Sequence, residues 1–157
     1  IRNARKEEDL QVLSIALQKQ TAGARTVLFC TAKEDDGCSK LLADLAAQLN
    51  VQGKKTLVVD AKTNQDNPLD KLGEYDLILI DSPPVNESPS VAAVLSGVCD
   101  QTVFVVQYKK TSINQAANAV HLLENTGAKF AGLICTNVQR NLLYRAEFPR
   151  QCRPAAK

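Results

Sequence analysis

The segment YDLILIDSPPV, residues 75–85, decides the fold class of this chain. Its four central residues, 77–80, are all apolar, which is typical of a strand buried on both faces of a sheet. The prolines at 83 and 84 end the strand, because proline has no amide hydrogen for the sheet. An acidic residue, Asp81, therefore stands at the carboxyl end of a buried strand.

Other segments of the chain share this apolar, strand-like character: residues 25–31, 56–60, 103–106 and 129–136. Helical spacing of apolar residues predicts helices between them, at residues 8–20, 38–50, 88–97 and 112–126. Fully apolar strands that alternate with helices indicate a parallel sheet covered on both sides. The sequence thus predicts an α/β fold, a three-layer Rossmann-like domain with a mostly parallel central sheet.

Composition excludes several classes of protein. The 157 residues are 45% hydrophobic and 23% charged, an ordinary globular mixture, and the net charge of +2 indicates no nucleic-acid partner. No run of 18 apolar residues occurs, so no membrane span is predicted. The chain begins at Ile1 and contains no methionine, so we expect it to be a piece of a longer protein.

The cysteines do not form a metal-binding pattern. Five are present, with no CxxC pair, and His121 is the one histidine of the sequence, so we expect neither a zinc site nor Cys–His catalysis. Cys30 and Cys135 lie in apolar strand segments, which favours buried thiols in a reducing cytoplasm.

Three features follow one another in a recognisable order. A strand at 25–31 leads to a glycine and a helix at 37–39, a second strand ends in Asp60-Ala61, and a third ends in Asp81-Ser82-Pro83-Pro84. In this order they resemble the Walker A, A′ and B motifs of the bacterial tyrosine kinases (BY-kinases) of capsule and exopolysaccharide systems. These kinases share a P-loop fold with ATPases of the ParA/MinD type. The resemblance covers roughly residues 8–138 and implies a P-loop domain that binds Mg-ATP.

The loop that would hold phosphate is altered. A P-loop uses glycine amides, a lysine and a Mg²⁺-binding serine or threonine. The segment TAKEDDGCSK, residues 31–40, keeps Gly37 and Ser39, but Cys38 stands where the family has its catalytic lysine, and Asp35 and Asp36 add negative charge. One like-charge contact at about 4 Å costs on the order of 4 kcal/mol at an effective dielectric constant near 20. We therefore predict weak ATP binding and no required cofactor, with Mg-ATP as the cofactor if the site is active.

The other two motifs are preserved only in part. Asp60 is retained, but Lys62 replaces the second acid of the family's Walker A′ motif. Asp81 is retained in Walker B. The resemblance makes Asp60 and Asp81 vestigial catalytic residues and Ser39 and Asp81 vestigial metal ligands.

Several residues are candidates to compensate. Lys33 occupies the position of an extra lysine in ParA/MinD-type ATPases, and Lys40 or Lys62 could replace the lost lysine. Alternatively, all three are solvated surface lysines. A further hypothesis is that Asp35 or Asp36 caps the helix at 38–50, so that a carboxylate replaces the phosphate.

The last residues differ from the rest. We predict a domain boundary after residue 138 and a basic tail at 139–157, with five basic residues and one acidic residue from Arg140 onward. The tail is either solvated and partly disordered or a contact for an anionic partner or the inner membrane surface.

Tyr144 is a candidate phosphorylation site by resemblance, and packing or solvation is the alternative. The oligomerisation motif of the family's first helix is missing, which argues against ring assembly.

We interpret the chain as a non-catalytic pseudo-kinase, a scaffold or regulator in capsular or exopolysaccharide biosynthesis or export. By resemblance, its partner would be a membrane polysaccharide co-polymerase, a sister kinase subunit or a second copy, at the cytoplasmic face of the membrane. One alternative is an ATP-dependent tyrosine autokinase or ATPase that uses substitute lysines. Another is a ParA/MinD-type positioning or partner-binding module.

Overall fold

The computed structural model of the protein describes residues 2–33, 38–62, 68–107, 110–136 and 144–147. The helices in these ranges are α1 (Arg2–Gln20), α2 (Cys38–Val51), α3 (Pro89–Val98) and α4 (Ile113–Asn125). The strands are β1 (Thr26–Thr31), β2 (Thr56–Asp60), β3 (Leu77–Asp81), β4 (Gln101–Gln107), β5 (Phe130–Thr136) and β6 (Tyr144–Glu147). A 3-10 turn covers Pro68–Lys71.

These strands form one sheet in the order β2-β3-β1-β4-β5-β6. The first five are mutually parallel, and β6 pairs antiparallel with β5. The predicted α/β class with a mostly parallel sheet is therefore confirmed. Asp60 pairs in register with Asp81, and Phe29 pairs with Asp81 on the other side, so the ends of β1, β2 and β3 meet at one edge.

Two apolar cores lie on opposite faces of the sheet. On one face, Val27 and Phe29 of β1 pack in a cluster with residues of α1 and α2. On the other face, Leu28 and Cys30 pack in a cluster with residues of α3 and α4. Successive strand residues point to opposite faces, so a strand covered on both sides is apolar throughout. All six residues of β1 are buried, which explains the unbroken apolar run in its sequence.

Helix α1 begins earlier than its apolar pattern indicates. The spacing predicts a helix over 8–20, whereas α1 begins at Arg2. Its first turns carry no apolar stripe, so periodicity gives no signal there. Further along, Leu10, Leu13 and Leu17 are buried, and this stripe attaches α1 to the core shared with α2.

Part of the segment assigned to the tail joins the sheet. Tyr144 pairs with Thr136 and Glu147 pairs with Leu133, so β6 extends the sheet beyond the boundary predicted after residue 138. The division into a domain at 1–138 and a tail at 139–157 stays a prediction. Residues 137–143, which include Arg140, and residues 148–157, which include Arg150, lie outside the described ranges.

A membrane-crossing helix is not found in the described part of the chain, where none is both long and apolar enough.

Candidate functional site

The candidate site lies at the carboxyl edge of β1, β2 and β3, beside the first turn of α2. Helix α2 begins at Cys38, and its amino end carries the partial positive charge of the helix dipole. Strand β3 ends at Asp81, whose side chain is 3% exposed. The Ser39 hydroxyl donates a hydrogen bond from Oγ to Oδ2 of Asp81 at 2.6 Å. The fold thus brings together two residues that are 42 positions apart in sequence.

The turn after β3 fixes the start of the loop before α2. The amide of Ser82 donates to the Phe29 carbonyl at 3.0 Å, and the amide of Val85 donates to the Thr31 carbonyl at 2.9 Å. The amide of Asn86 donates to the Ala32 carbonyl at 3.0 Å. Pro83 and Pro84 cannot donate, so the remaining amides of the turn hold the end of β1.

Cys38 is a buried core residue. Its side chain is 6% exposed and belongs to the same apolar cluster as Leu41 and Leu42. Burial raises the pKa of the Cys38 thiol well above its usual value, and the negative charge of Asp81 and a hydrogen bond to its carboxylate act in the same direction. The ammonium of Lys62 acts in the opposite direction on the same pKa. The thiol is therefore neutral near pH 7 and is unsuited to act as a nucleophile.

The neutral thiol changes the electrostatics of the site. In P-loop proteins a lysine at this place contacts the phosphates, whereas Cys38 supplies no positive charge. Sequence reasoning identified the substitution but missed that the side chain packs in the core. The signal was present, because Cys38, Leu41, Leu42 and Leu45 continue one helical stripe at spacings of three, four and seven.

Asp60 and Lys62 form a local turn at the end of β2. Oδ1 of Asp60 accepts a hydrogen bond from the backbone amide of Lys62 at 2.9 Å. The amide of Ala61 donates to the carbonyl of Asp81 at 3.0 Å, which fixes the turn beside β3. The Asp60 side chain thus has a structural partner, and the exposed Lys62 lies close enough to influence the Cys38 thiol.

The remaining predicted residues are placed only in part. Lys33 is half-buried at the end of the β1 segment, and Lys40 is exposed on α2. Asp35, Asp36 and Gly37 lie outside the described residues, and so does the hypothesis that an aspartate caps α2. The role of every one of these residues stays a prediction.

The described residues fit Mg-ATP poorly. The two oxygens that a P-loop protein would direct at Mg²⁺, those of Ser39 and Asp81, are hydrogen-bonded to each other. Among the described residues no group of three or more His, Cys, Asp or Glu side chains is arranged to hold a metal ion. The local cations are lysines at the margins of the site, and none occupies position 38.

The amino-acid sequence is similar to that of a known kinase over part of its length. No family model matches the chain. The chain is 32% identical over 68 residues to the tyrosine-protein kinase CpsD of Streptococcus agalactiae, and 31% identical to CpsD of the serotype III strain NEM316. Each match spans 43% of this chain and 29% of the kinase, so the aligned part is less than a third of the relative's length.

Solved structures extend this likeness over most of the chain. The tyrosine kinase domain of BceF superposes with a TM-score of 0.71 at 19% identity, over 82% of this chain and 76% of that domain. The kinase domain of the Escherichia coli tyrosine kinase ETK gives a TM-score of 0.70 at 14% identity, over 85% and 78%. At these identities the structures establish the fold. The resemblance inferred from the motifs is confirmed: the chain is similar in sequence to a bacterial tyrosine kinase and has the fold of bacterial tyrosine-kinase domains.

Proposed function

We propose that this domain is a non-catalytic pseudo-kinase, a scaffold or regulatory domain in capsular or exopolysaccharide biosynthesis or export. The observation that supports this most directly is the buried, neutral Cys38 thiol in the first turn of α2. A kinase of this fold would use an ammonium at that position. The pathway follows from the resemblance to the kinases of these systems.

The chemistry of phosphoryl transfer explains why this one position matters. Catalysis depends on positioning and on positive charge near the phosphoryl group, with little covalent work for the protein to do. A neutral thiol stabilises no phosphate charge, and Lys62 is an exposed residue held through its backbone by Asp60. We therefore infer that the domain binds Mg-ATP weakly and transfers phosphate slowly or not at all.

The hydrogen bonds at the site suggest why the fold does not need a nucleotide. A buried carboxylate is costly unless it is hydrogen-bonded. Asp81 accepts a hydrogen bond from Ser39 in the first turn of α2, so a protein group stabilises its charge without a bound nucleotide. A domain built in this way can serve as a permanently folded scaffold.

One observation favours the alternative of an active autokinase. The ammonium of Lys62 lowers the pKa of the Cys38 thiol, so its charge reaches the place where the family's lysine would act. An autokinase that uses Lys62 would place phosphate on a tyrosine, and Tyr144 is the candidate near the end of the sequence. This alternative differs from the scaffold in one measurable respect, the incorporation of phosphate.

A scaffold needs surfaces for partners, and α3 offers one. Val91, Val94 and Val98 are 43%, 66% and 52% exposed, although the same helix buries Ala92 on its other side. Exposed apolar residues grouped on one helix are typical of interaction sites. We propose a membrane polysaccharide co-polymerase, a sister kinase subunit or a second copy as the partner, at the cytoplasmic face of the membrane.

The experiment that tests the proposal is an autophosphorylation assay with labelled ATP and Mg²⁺. The natural chain is expected to incorporate no more phosphate than its Asp81→Asn and Tyr144→Phe variants. Incorporation that is lost in either variant would replace the scaffold by the autokinase.

A further inference from the structure

An apolar groove lies on the α3/α4 face of the sheet, away from the candidate site. It has a volume of about 800 Å³ and runs between α4 and the strands β4 and β5. Its apolar lining comes from Val106, Ala116, Val120 and Leu133. A groove of this size and character is typical of a binding site rather than of a packing defect.

The polar lining of the groove comes from Gln107, Thr111, His121 and Glu124, of which Glu124 is acidic. Oε1 of Gln107 is buried and has no hydrogen-bond partner among the described residues. The carboxylate of Glu124 lies in the lining contributed by the last turn of α4, and the described lining includes no lysine or arginine. An occupant that fits is therefore apolar in part and carries basic or other donor groups.

The chain itself leaves β6 beside this groove. Glu147, the last residue of β6, pairs with Leu133, which lines the groove. Adjacent strands lie about 4.8 Å apart, so Glu147 lies one strand spacing from the groove floor. Because β6 is antiparallel to β5, the chain direction of β6 points toward the start of β5. Helix α4, which carries Glu124 in its last turn, ends shortly before β5 begins.

The sequence that follows β6 has the chemistry the groove requires. Residues 148–157 read FPRQCRPAAK, with apolar Phe148 and Pro149, three basic residues and no acidic residue. Ten residues reach at most about 33–36 Å. Helix α4 has 13 residues and is therefore about 20 Å long. The segment is thus long enough to follow the whole groove.

We propose that residues 148–157 dock in the groove between α4 and β5 of the same chain. In this arrangement the apolar start of the segment covers Leu133 and Val120, and the guanidinium of Arg150 pairs with Glu124. The basic charge of this segment is then used within the domain instead of on a membrane surface. This inference does not depend on the proposed function of the nucleotide site.

The test compares hydrogen exchange in the full chain with that in a variant that ends after Glu147. We expect amides of α4 to exchange at least tenfold faster in the shortened chain, while those of α2, on the opposite face, are unchanged. A full-length variant with residues 148–157 in scrambled order should behave like the shortened chain. Equal α4 exchange in all three proteins would overturn the proposal.

Reversing the charges of Glu124 and Arg150 by substitution provides a second test that removes no part of the chain. Glu124 is exposed, so Glu124→Lys leaves the core intact. If the shortened chain also loses protection in α2, its effect on α4 is not specific, and Glu124→Lys becomes the test of the proposal. Exposed ion pairs contribute about 0.2–1 kcal/mol, so α4 exchange should accelerate by about 1.4- to fivefold in Glu124→Lys. Adding Arg150→Glu to Glu124→Lys should restore the slow exchange of α4. Glu74→Lys, the same charge change at another exposed site, should leave α4 exchange unchanged.

Two results would contradict the docking of the chain's own segment. The first is α4 protection that rises with protein concentration, which would identify a second copy as the occupant. The second is unchanged exchange in Glu124→Lys together with no rescue by Arg150→Glu.

Discussion

Ser39 donates a hydrogen bond to Asp81 across 2.6 Å, and this bond joins the first turn of α2 to the end of β3. In proteins with an active P-loop, a serine or threonine and an aspartate at these two places hold Mg²⁺. Here the two side chains bind each other, and the negative charge of the same carboxylate acts on the buried Cys38 thiol. The hydrogen bond between Ser39 and Asp81 thus serves as a structural link between a helix and the sheet.

This link should be measurable in the stability of the domain. Ser39→Ala removes one donor to a buried carboxylate, and hydrogen bonds to charged groups contribute about 1.5–3 kcal/mol. Because Ser39 is exposed, water can replace its hydroxyl in part, so we expect a loss of about 1–2 kcal/mol in the free energy of unfolding by urea. Ser90→Ala, at an exposed position of α3, is the matched control and should change it by less than about 0.5 kcal/mol. Equal effects of the two substitutions would contradict the structural role of the bond.

The thiols of the core should resist alkylation. Burial raises the pKa of Cys30 to about 12 and is also the main cause of the raised pKa of Cys38. At pH 8 a thiol of pKa about 12 is about 0.01% thiolate, against about a quarter for an ordinary cysteine of pKa about 8.5. We expect alkylation of Cys30 and Cys38 to be more than a hundredfold slower in the native chain than in urea, followed by peptide mass spectrometry. Rapid native labelling of Cys38 would show that its thiol is not buried in the core as described.

Asp100 should make stability depend on pH in the acid range. Its Oδ2 accepts the Arg25 amide at 2.8 Å and the Thr26 amide at 3.2 Å, and its own amide donates to Thr26 Oγ1 at 2.9 Å. The hydrogen bond from Arg25 is the main cause of a lowered pKa for Asp100. A lowered folded-state pKa gives stability that is present above the unfolded value of about 3.9 and is lost as pH falls through the folded value.

The variant that tests this is Asp100→Asn. It should be less stable than the natural chain at pH 7, and the difference should shrink as the pH falls below about 4. Urea unfolding at pH 7, 5, 4 and 3 follows both proteins. A difference that is constant over this range would show that the carboxylate charge contributes nothing.

Helix α1 should contribute to the free energy of unfolding through its buried side and very little through its exposed side. Leu17 is fully buried at 0% exposed, whereas Val12 on the same helix is 67% exposed. Leu17→Ala should cost about 2–5 kcal/mol, and Val12→Ala should cost less than about 0.5 kcal/mol. Similar costs in thermal or urea unfolding would mean that α1 is not docked on α2 as described.

The sequence predicted most of the fold because the signals were local. The apolar run at 77–80 and the stripe of Leu41, Leu42, Leu45 and Leu49 each specify their element without help from distant residues. Strand β6 was not predicted, because Tyr144–Glu147 carries no apolar run and pairs only because β5 offers an edge. Edge strands of this kind depend on tertiary partners that periodicity does not report.

The sequence predicted which residues form the candidate site, but it did not predict which contacts they make. Spacing and motif order identified Ser39, Asp81 and the substituted Cys38. Whether Cys38 points into the loop or into the core depends on how α2 packs against the sheet. The groove beside α4 left no sequence signal either, since it arises from how α4 packs against β4 and β5.

The most direct test of a nucleotide-free site is calorimetric titration of ATP and ADP with Mg²⁺ into the full chain. A Cys38→Lys variant, checked for folding by its unfolding curve, serves as the comparison for the missing ammonium. We expect no measurable heat of binding for the natural chain at millimolar nucleotide. Micromolar affinity in the natural chain would contradict it, make Lys33, Lys40 and Lys62 the next positions to mutate, and restore the autokinase as the leading function.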